Sequence, residues 1–171
     1  VYFPSGPAMV SYVIQVDDGK QVETVLIGRE GAVGGIVSHG HLPAYARCVV
    51  QFPGEFLTIE VDRLDAIKEK SPAVANIFDR YADCLMAQVF QSVACNAAHT
   101  IEQRTAKWLV SAIERTGATK VPLTQEQLAG MLGVGRTYIS RVIANLKASK
   151  FLITRRRALE IQDLPAVQAL S

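Results

Sequence analysis

Between Gln125 and Ala144, small and aliphatic residues recur at offsets that one local geometry demands. Counting Gln125 as the first position, the fourth and eighth are Leu128 and Leu132, the fifth is Ala129 and the ninth is Gly133. The tenth, fifteenth and eighteenth are Val134, Ile139 and Val142. A small residue at the fifth position lets a second helix cross close by, and Gly at the ninth takes a left-handed turn. The aliphatic residues fill the wedge between the helices. A helical hairpin in an enzyme core meets some of these demands, but it does not explain the cations that follow. The spacing predicts a helix-turn-helix.

The second helix of that pair, expected over Arg136 to Ser149, puts Arg136, Thr137, Ser140, Arg141 and Ala144 on one face. Such a face suits a DNA major groove, because an arginine donates two parallel hydrogen bonds to a guanine edge. Arg136, Thr137, Ser140 and Arg141 are the candidate base contacts. Downstream, Phe151-Leu152-Ile153-Thr154 and Ala158-Leu159-Glu160-Ile161 flank Arg155-Arg156-Arg157, which reads as a β-hairpin wing with a cationic turn. Those three arginines, with Tyr138, are candidate phosphate contacts. Residues 1–99 hold seven Lys and Arg against eleven Asp and Glu, whereas residues 100–171 hold eleven against five. An acidic module is joined to one that meets polyanions.

The first sixty residues read as β structure. Met9 to Val16 and Gln21 to Ile27 are β-prone runs around Asp17-Asp18-Gly19-Lys20, a hairpin signal because Gly accepts the positive φ of the turn. Ala44 to Phe52 and Phe56 to Val61 are two further strands broken by Pro53-Gly54, and Gly28 to Pro43 is a Gly-rich loop-bearing stretch. Asp62 with Asp65 marks a helix start. From Pro72 to about Asn96 the pattern becomes that of a long helix. Val74, Phe78, Tyr81, Leu85, Gln88, Ser92 and Cys95 alternate spacings of four and three, a seam that fits a partner helix in a dimer. A helix packed on its own domain fits that spacing equally well. Thr100 with Gln103, and Thr124 with Gln127, each carry the pattern of a capped helix start. The first of these helices is expected to end at Gly117, ahead of Pro122.

In this order the chain resembles the Crp/Fnr family of bacterial transcription regulators over essentially its whole length. Tyr2-Phe3-Pro4 with Ser5-Gly6, Asp18-Gly19 and Gly28-Arg29-Glu30-Gly31 are similar to the family's effector-domain strands. Leu123-Thr124-Gln125 through Gly133-Val134-Gly135-Arg136 is similar to its helix-turn-helix. The resemblance implies an α+β chain with a partial β-roll (jelly-roll) effector domain of cyclic-nucleotide-binding type over 1–70. A dimerisation helix over 71–99 and a winged helix-turn-helix over 100–171 follow. It implies a cytoplasmic, non-enzymatic regulator that binds a palindromic operator in double-stranded DNA as a homodimer, with RNA polymerase as a partner. Thr124 and Gln125 fall where members touch phosphate. Arg136 and Arg141 match the two recognition arginines, whereas Thr137 stands where Glu is common, so the half-site is expected to differ. The roll's opening strands are missing and the first residue is Val1 rather than Met, so a preceding segment is expected.

Members that bind cyclic nucleotides carry Gly-Glu-Leu and, further on, Arg-Ser/Thr-Ala. Here Gly31-Ala32-Val33-Gly34 and Leu42-Pro43-Ala44 stand instead. Burying a phosphate without a cation is costly, and Arg47 reads as a structural strand residue, so no cyclic nucleotide is expected. His39 and His41, with Cys48 downstream, keep a metal- or haem-linked sensor as an alternative. No third ligand is spaced for it, so neither metal nor cofactor is expected. From another class, an enzyme could use Gly28 to Gly35 as a phosphate cradle, but that needs a helix after the glycines and Ile36 onward is not one. A winged helix used only for protein contacts is a third possibility, and salt-dependent DNA binding discriminates it. Cys48, Cys84 and Cys95 make neither a disulfide framework nor a CxxC pair, which fits a reducing compartment. The longest uncharged run, Cys84 to Ile101, holds Gln88, Gln91, Ser92, Asn96 and His99 and is too polar to cross a bilayer.

Overall fold

The computed structural model describes residues 1–16, 21–34, 44 and 46–171. The turn expected at Asp17 to Lys20 and the loop from Gly35 to Pro43 lie outside the described residues. Tyr2–Pro4 (β1), Met9–Gln15 (β2), Gln21–Ile27 (β3), Arg47–Phe52 (β4) and Phe56–Thr58 (β5) follow in order. β3, β2 and β4 form one antiparallel sheet, and β1 pairs with β5 in another, so among the described residues the roll is open. β5 stops short of the expected Val61 because that residue opens a helix, Val61–Lys70 (α1), which follows Glu60 with no side-chain cap. Asp62 lies in the first turn, where a carboxylate suits the helix's positive end.

A bulge decides which way β3 presents its side chains. Tyr12 pairs with Val25 but Val13 pairs with Glu23, which leaves Thr24 unmatched. The extra residue reverses the alternation of faces. Val25 and Ile27 pack with Val10 and Val33 inside the roll. Glu23 instead shares the opposite face with Leu26.

Pro72–Ala98 (α2) starts at Ser71, whose hydroxyl accepts from the Val74 amide, with Pro72 at the first helical position. Its inner face is the seam read from the sequence. Val74, Phe78, Tyr81 and Leu85 pack with Val1, Ala32 and Leu64 of the same chain. The Tyr81 hydroxyl donates to the Ala32 carbonyl at 3.2 Å. Farther along, Gln88 Oε1 accepts from the Leu26 amide at 2.7 Å and Ser92 Oγ donates to the Thr24 carbonyl at 3.2 Å. β3 is a sheet edge, and these two polar side chains satisfy its open backbone groups. All six residues expected at a dimer seam therefore turn inward, which is the alternative that spacing left open. The opposite side of α2 exposes Met86, Phe90 and Val93, and Ile77 and Val89 are exposed at the margins of the inner face.

Ile101–Thr116 (α3) begins with the Thr100–Gln103 capping box and ends at Gly117, whose φ of 70° suits glycine. Lys120–Val121 (β6), Gln125–Met131 (α4), Arg136–Ala148 (α5), Leu152–Arg155 (β7), Ala158–Ile161 (β8) and Leu164–Leu170 (α6) complete the chain. β8 lies between β6 and β7. Leu109, Ile113, Leu128, Ile139, Val142, Leu146 and Val167 form the centre of this half, and Met9, Leu26 and Phe52 of the roll belong to the same cluster. Among the described residues no helix is long and apolar enough to cross a membrane.

Candidate nucleic-acid interface

The crossing of α4 and α5 follows from the residues that the spacing singled out. Ala129 is buried, its carbonyl accepts the Val134 amide at 3.0 Å, and Gly133 takes a φ of 67°. Ile139, Val142, Ile143 and Leu146 bury one face of α5. The burial of that face fixes which side chains point outward. Arg136, Thr137, Tyr138 and Arg141 are exposed. Arg136 is the first residue of the helix, and the Arg141 guanidinium lies 6.0 Å from the Tyr138 ring centre. Ser140 is half-buried, and its hydroxyl donates to Gln125 Oε1 at 2.8 Å, tying the two helices together. Thr124 is engaged as well: its Oγ1 accepts from the Gln127 amide while Gln127 Oε1 accepts from the Thr124 amide. Three of the expected contacts thus already hold the motif in shape.

The wing divides its three arginines. Arg155 pairs with Ala158 in the β7–β8 ladder, leaving Arg156 and Arg157 as the two-residue turn. The expectation of three equivalent arginines on a turn does not hold for Arg155, whose Nε lies 2.8 Å from Glu160 Oε2. That hydrogen bond holds the Glu160 carboxyl below its ordinary range. Arg157 has a φ of 54°, an unfavourable region for a residue with a Cβ.

The motif is seated on the roll. A side chain at Gly133 would touch Val22 of β3, and Arg104 of α3 donates to the Leu132 carbonyl at 2.8 Å. The Trp108 indole donates to Glu23 Oε1 at 2.6 Å, the contact that the β3 bulge makes geometrically available. Burial pushes the Glu23 carboxyl up to about 8, outweighing the Trp108 and Ser11 hydrogen bonds and the Arg115 charge. The folded chain thus holds this proton more tightly than the unfolded chain. Its stabilising effect is complete below the ordinary carboxylate range and is lost as pH rises toward 8. Glu23→Gln keeps an acceptor for Trp108 and cannot ionise. Thermal melts should show it more stable than the parent at pH 9 by about 2–4 kcal/mol, with the difference shrinking toward pH 5. An unchanged gap across that range would contradict the assignment.

Gly28 and Gly31 of the glycine-rich stretch are required by packing. A Cβ at Gly28 would lie 2.8 Å from Arg115 Cβ, and one at Gly31 would meet the Tyr81 hydroxyl. Ala32 is buried and gives its carbonyl to Tyr81. Arg47 is exposed at the start of β4. Gly35, His39, His41, Leu42 and Pro43 lie outside the described residues. Among the described residues no three His, Cys, Asp or Glu side chains gather as a metal ion would need.

A family model described as the Crp-like helix-turn-helix domain matches residues 103–170. No curated protein matches the chain. A transcriptional regulator of the CRP family from Thermus thermophilus is 17% identical, with 99% of this chain and 86% of that one covered at a TM-score of 0.74. FixK2 from Bradyrhizobium japonicum is 17% identical, covering 99% and 85% at 0.73. A CRP/FNR-family transcriptional regulator from Thermus thermophilus is 16% identical, covering 99% and 96% at 0.70. What these structures share with the chain is its fold, from roll through long helix to wing.

Proposed function

We propose that this chain, whose residues 103–170 are a Crp-like helix-turn-helix domain on the fold of Crp and Fnr regulators, is a cytoplasmic DNA-binding transcription regulator. It reads a palindromic site as a homodimer. The observation that carries this reading is the outward face of α5, where Arg136, Thr137, Tyr138 and Arg141 stand exposed beside a wing tipped by Arg156 and Arg157. Arg136 and Arg141 approach guanine edges with Thr137 and Ser140 between them. Tyr138, the wing arginines including Arg155, and the start of α4 at Thr124 and Gln125 meet phosphate. Residues 1–70 act as the effector domain, 71–99 as the dimer helix and 100–171 as the DNA-binding part.

Dimerisation uses the exposed stripe of α2, not the seam that packs inward. Pairing two chains along Met86, Phe90 and Val93 sets two copies of α5 on one duplex, as sites with half-sites one helical turn apart require. RNA polymerase is the expected further partner. The effector is not a cyclic nucleotide, since a buried Ala32 offers no carboxylate to a ribose hydroxyl.

Selection of bound sequences from random duplex DNA tests the reading, which expects an enriched inverted repeat; recovery of no motif would overturn it. The wing gives a sharper measurement. Arg157→Gly removes a charge while suiting the positive φ, so the hairpin should survive. Binding to specific and random duplexes should weaken alike, and the slope of log affinity against log salt should flatten by about one. A changed base preference instead would put the wing in a reading role.

A further inference from the structure

We propose that the cavity where β3, α2 and α3 meet is a binding site for a small anion, a carboxylate or oxoanion of about six non-hydrogen atoms. The cavity measures about 130 Å³ and is walled by Glu23, Gln88, Cys95, Arg104, Lys107 and Trp108, among others. An engineered cavity of about 150 Å³ accommodates benzene, which sets the scale of the part of an occupant this partly open pocket holds.

The charge of the walls decides the class of ligand. Arg104 and Lys107 both project from α3, and among the described residues neither has a carboxylate within ion-pair distance. The guanidinium of Arg104 is met by the Leu132 carbonyl, and Lys107 Nζ by Cys95 Sγ at 2.9 Å. Arg115, the third cation of the wall, is matched by Glu30 at 2.9 Å. The acid in the wall, Glu23, keeps its proton up to about pH 8, so it adds no negative charge near neutrality. Its Oε1 accepts the Trp108 indole, which fixes this neutral side chain in the wall. Gln88 accepts from Leu26 through its oxygen, and its NH₂ remains a donor for the cavity.

The cysteine reports the resulting field. Burial pushes the Cys95 thiol up, yet the hydrogen bond and charge of Lys107, with Gln91 and Arg104, hold it below its ordinary value. A weakly acidic thiol stands where a true anion would gain more from the same cations. Strand, long helix and DNA-reading half all supply walls, so an occupant braces the three against one another.

Two measurements on the full chain test this, and neither involves DNA, so failure of the regulator reading leaves them standing. Trp108 is the chain's one tryptophan and forms part of the wall, so intrinsic emission reports the site. Sodium phosphate, acetate and succinate are titrated at pH 7, with sodium chloride holding ionic strength constant. At least one should give a saturable change, weakened tenfold or more by Lys107→Gln and retained by Lys107→Arg. In parallel, alkylation by iodoacetamide is followed residue by residue by mass spectrometry. The saturating anion should slow Cys95 at least fivefold while leaving the exposed Cys48 and Cys84 unchanged. This second measurement uses the unmodified sequence and so does not depend on any variant folding. The proposal is overturned if none of the three anions gives a saturable change, or if all three cysteines respond alike.

Discussion

In the proposed dimer, Phe90→Asp should leave a folded monomer that no longer holds the proposed palindromic site. Phe90 and Val93 are 65% and 63% exposed on the outer side of α2, with Met86 one turn before. Neither contributes to a core cluster of its own chain, so the substitution leaves α2 anchored by its inner face. Burying a large apolar side chain is worth roughly 1.5–3 kcal/mol, and a twofold interface loses the contribution twice. It also brings two carboxylates toward one axis. The dimer dissociation constant should rise by about three orders of magnitude, a loss of about 4 kcal/mol. Sedimentation at micromolar protein should give one chain mass, the footprint should shrink to a half-site, and the melting temperature should stay near the parent's. A variant that remains dimeric would move the interface away from this stripe.

Arg136→Ala and Arg141→Ala should each cost about 1–3 kcal/mol on the preferred site while weakening random DNA much less. Arg136 opens α5, where side chains enter a groove first, and Arg141 follows on the same exposed face near the Tyr138 ring. Four buried aliphatic residues behind them hold that face at a fixed angle. Each loss should flatten discrimination at one base position per half-site. Paired titrations on specific and random duplexes at several salt concentrations separate the possibilities. Equal loss on both duplexes would make these arginines phosphate contacts.

The helix-turn-helix could be read from the chain because each of its positions answers a different local demand. Gly133 must reach positive φ, Ala129 must be small, and Ile139 and Val142 must be apolar for α5 to be covered on one side. The two capping boxes are similarly local, each closed within four residues. Orientation of α2 is not local. The seam through Val74 and Ser92 and the patch of Met86, Phe90 and Val93 are both helical faces, and which one meets the roll depends on where β3 lies. One clue was present: Gln88 and Ser92 make poor dimer contacts but suit an open sheet edge. The β3 bulge hid Glu23, because regular alternation would have put it among the roll's own aliphatic residues. β6 and α6 are too short, at two and seven residues, for periodicity to register.

Met9, Leu26 and Phe52 belong to the same apolar cluster as Leu109, Leu128 and Ile139. Charge and pattern divide the chain near residue 100, but its cohesion does not follow that line. A fragment cut before Thr100 would carry bare hydrocarbon where the sheet had rested, inviting aggregation instead of yielding a clean DNA-binding module. Because this cluster joins the sheet to the helices, the intact chain should melt in a single cooperative step instead of two. The division of labour along the sequence thus does not coincide with a break in the packing.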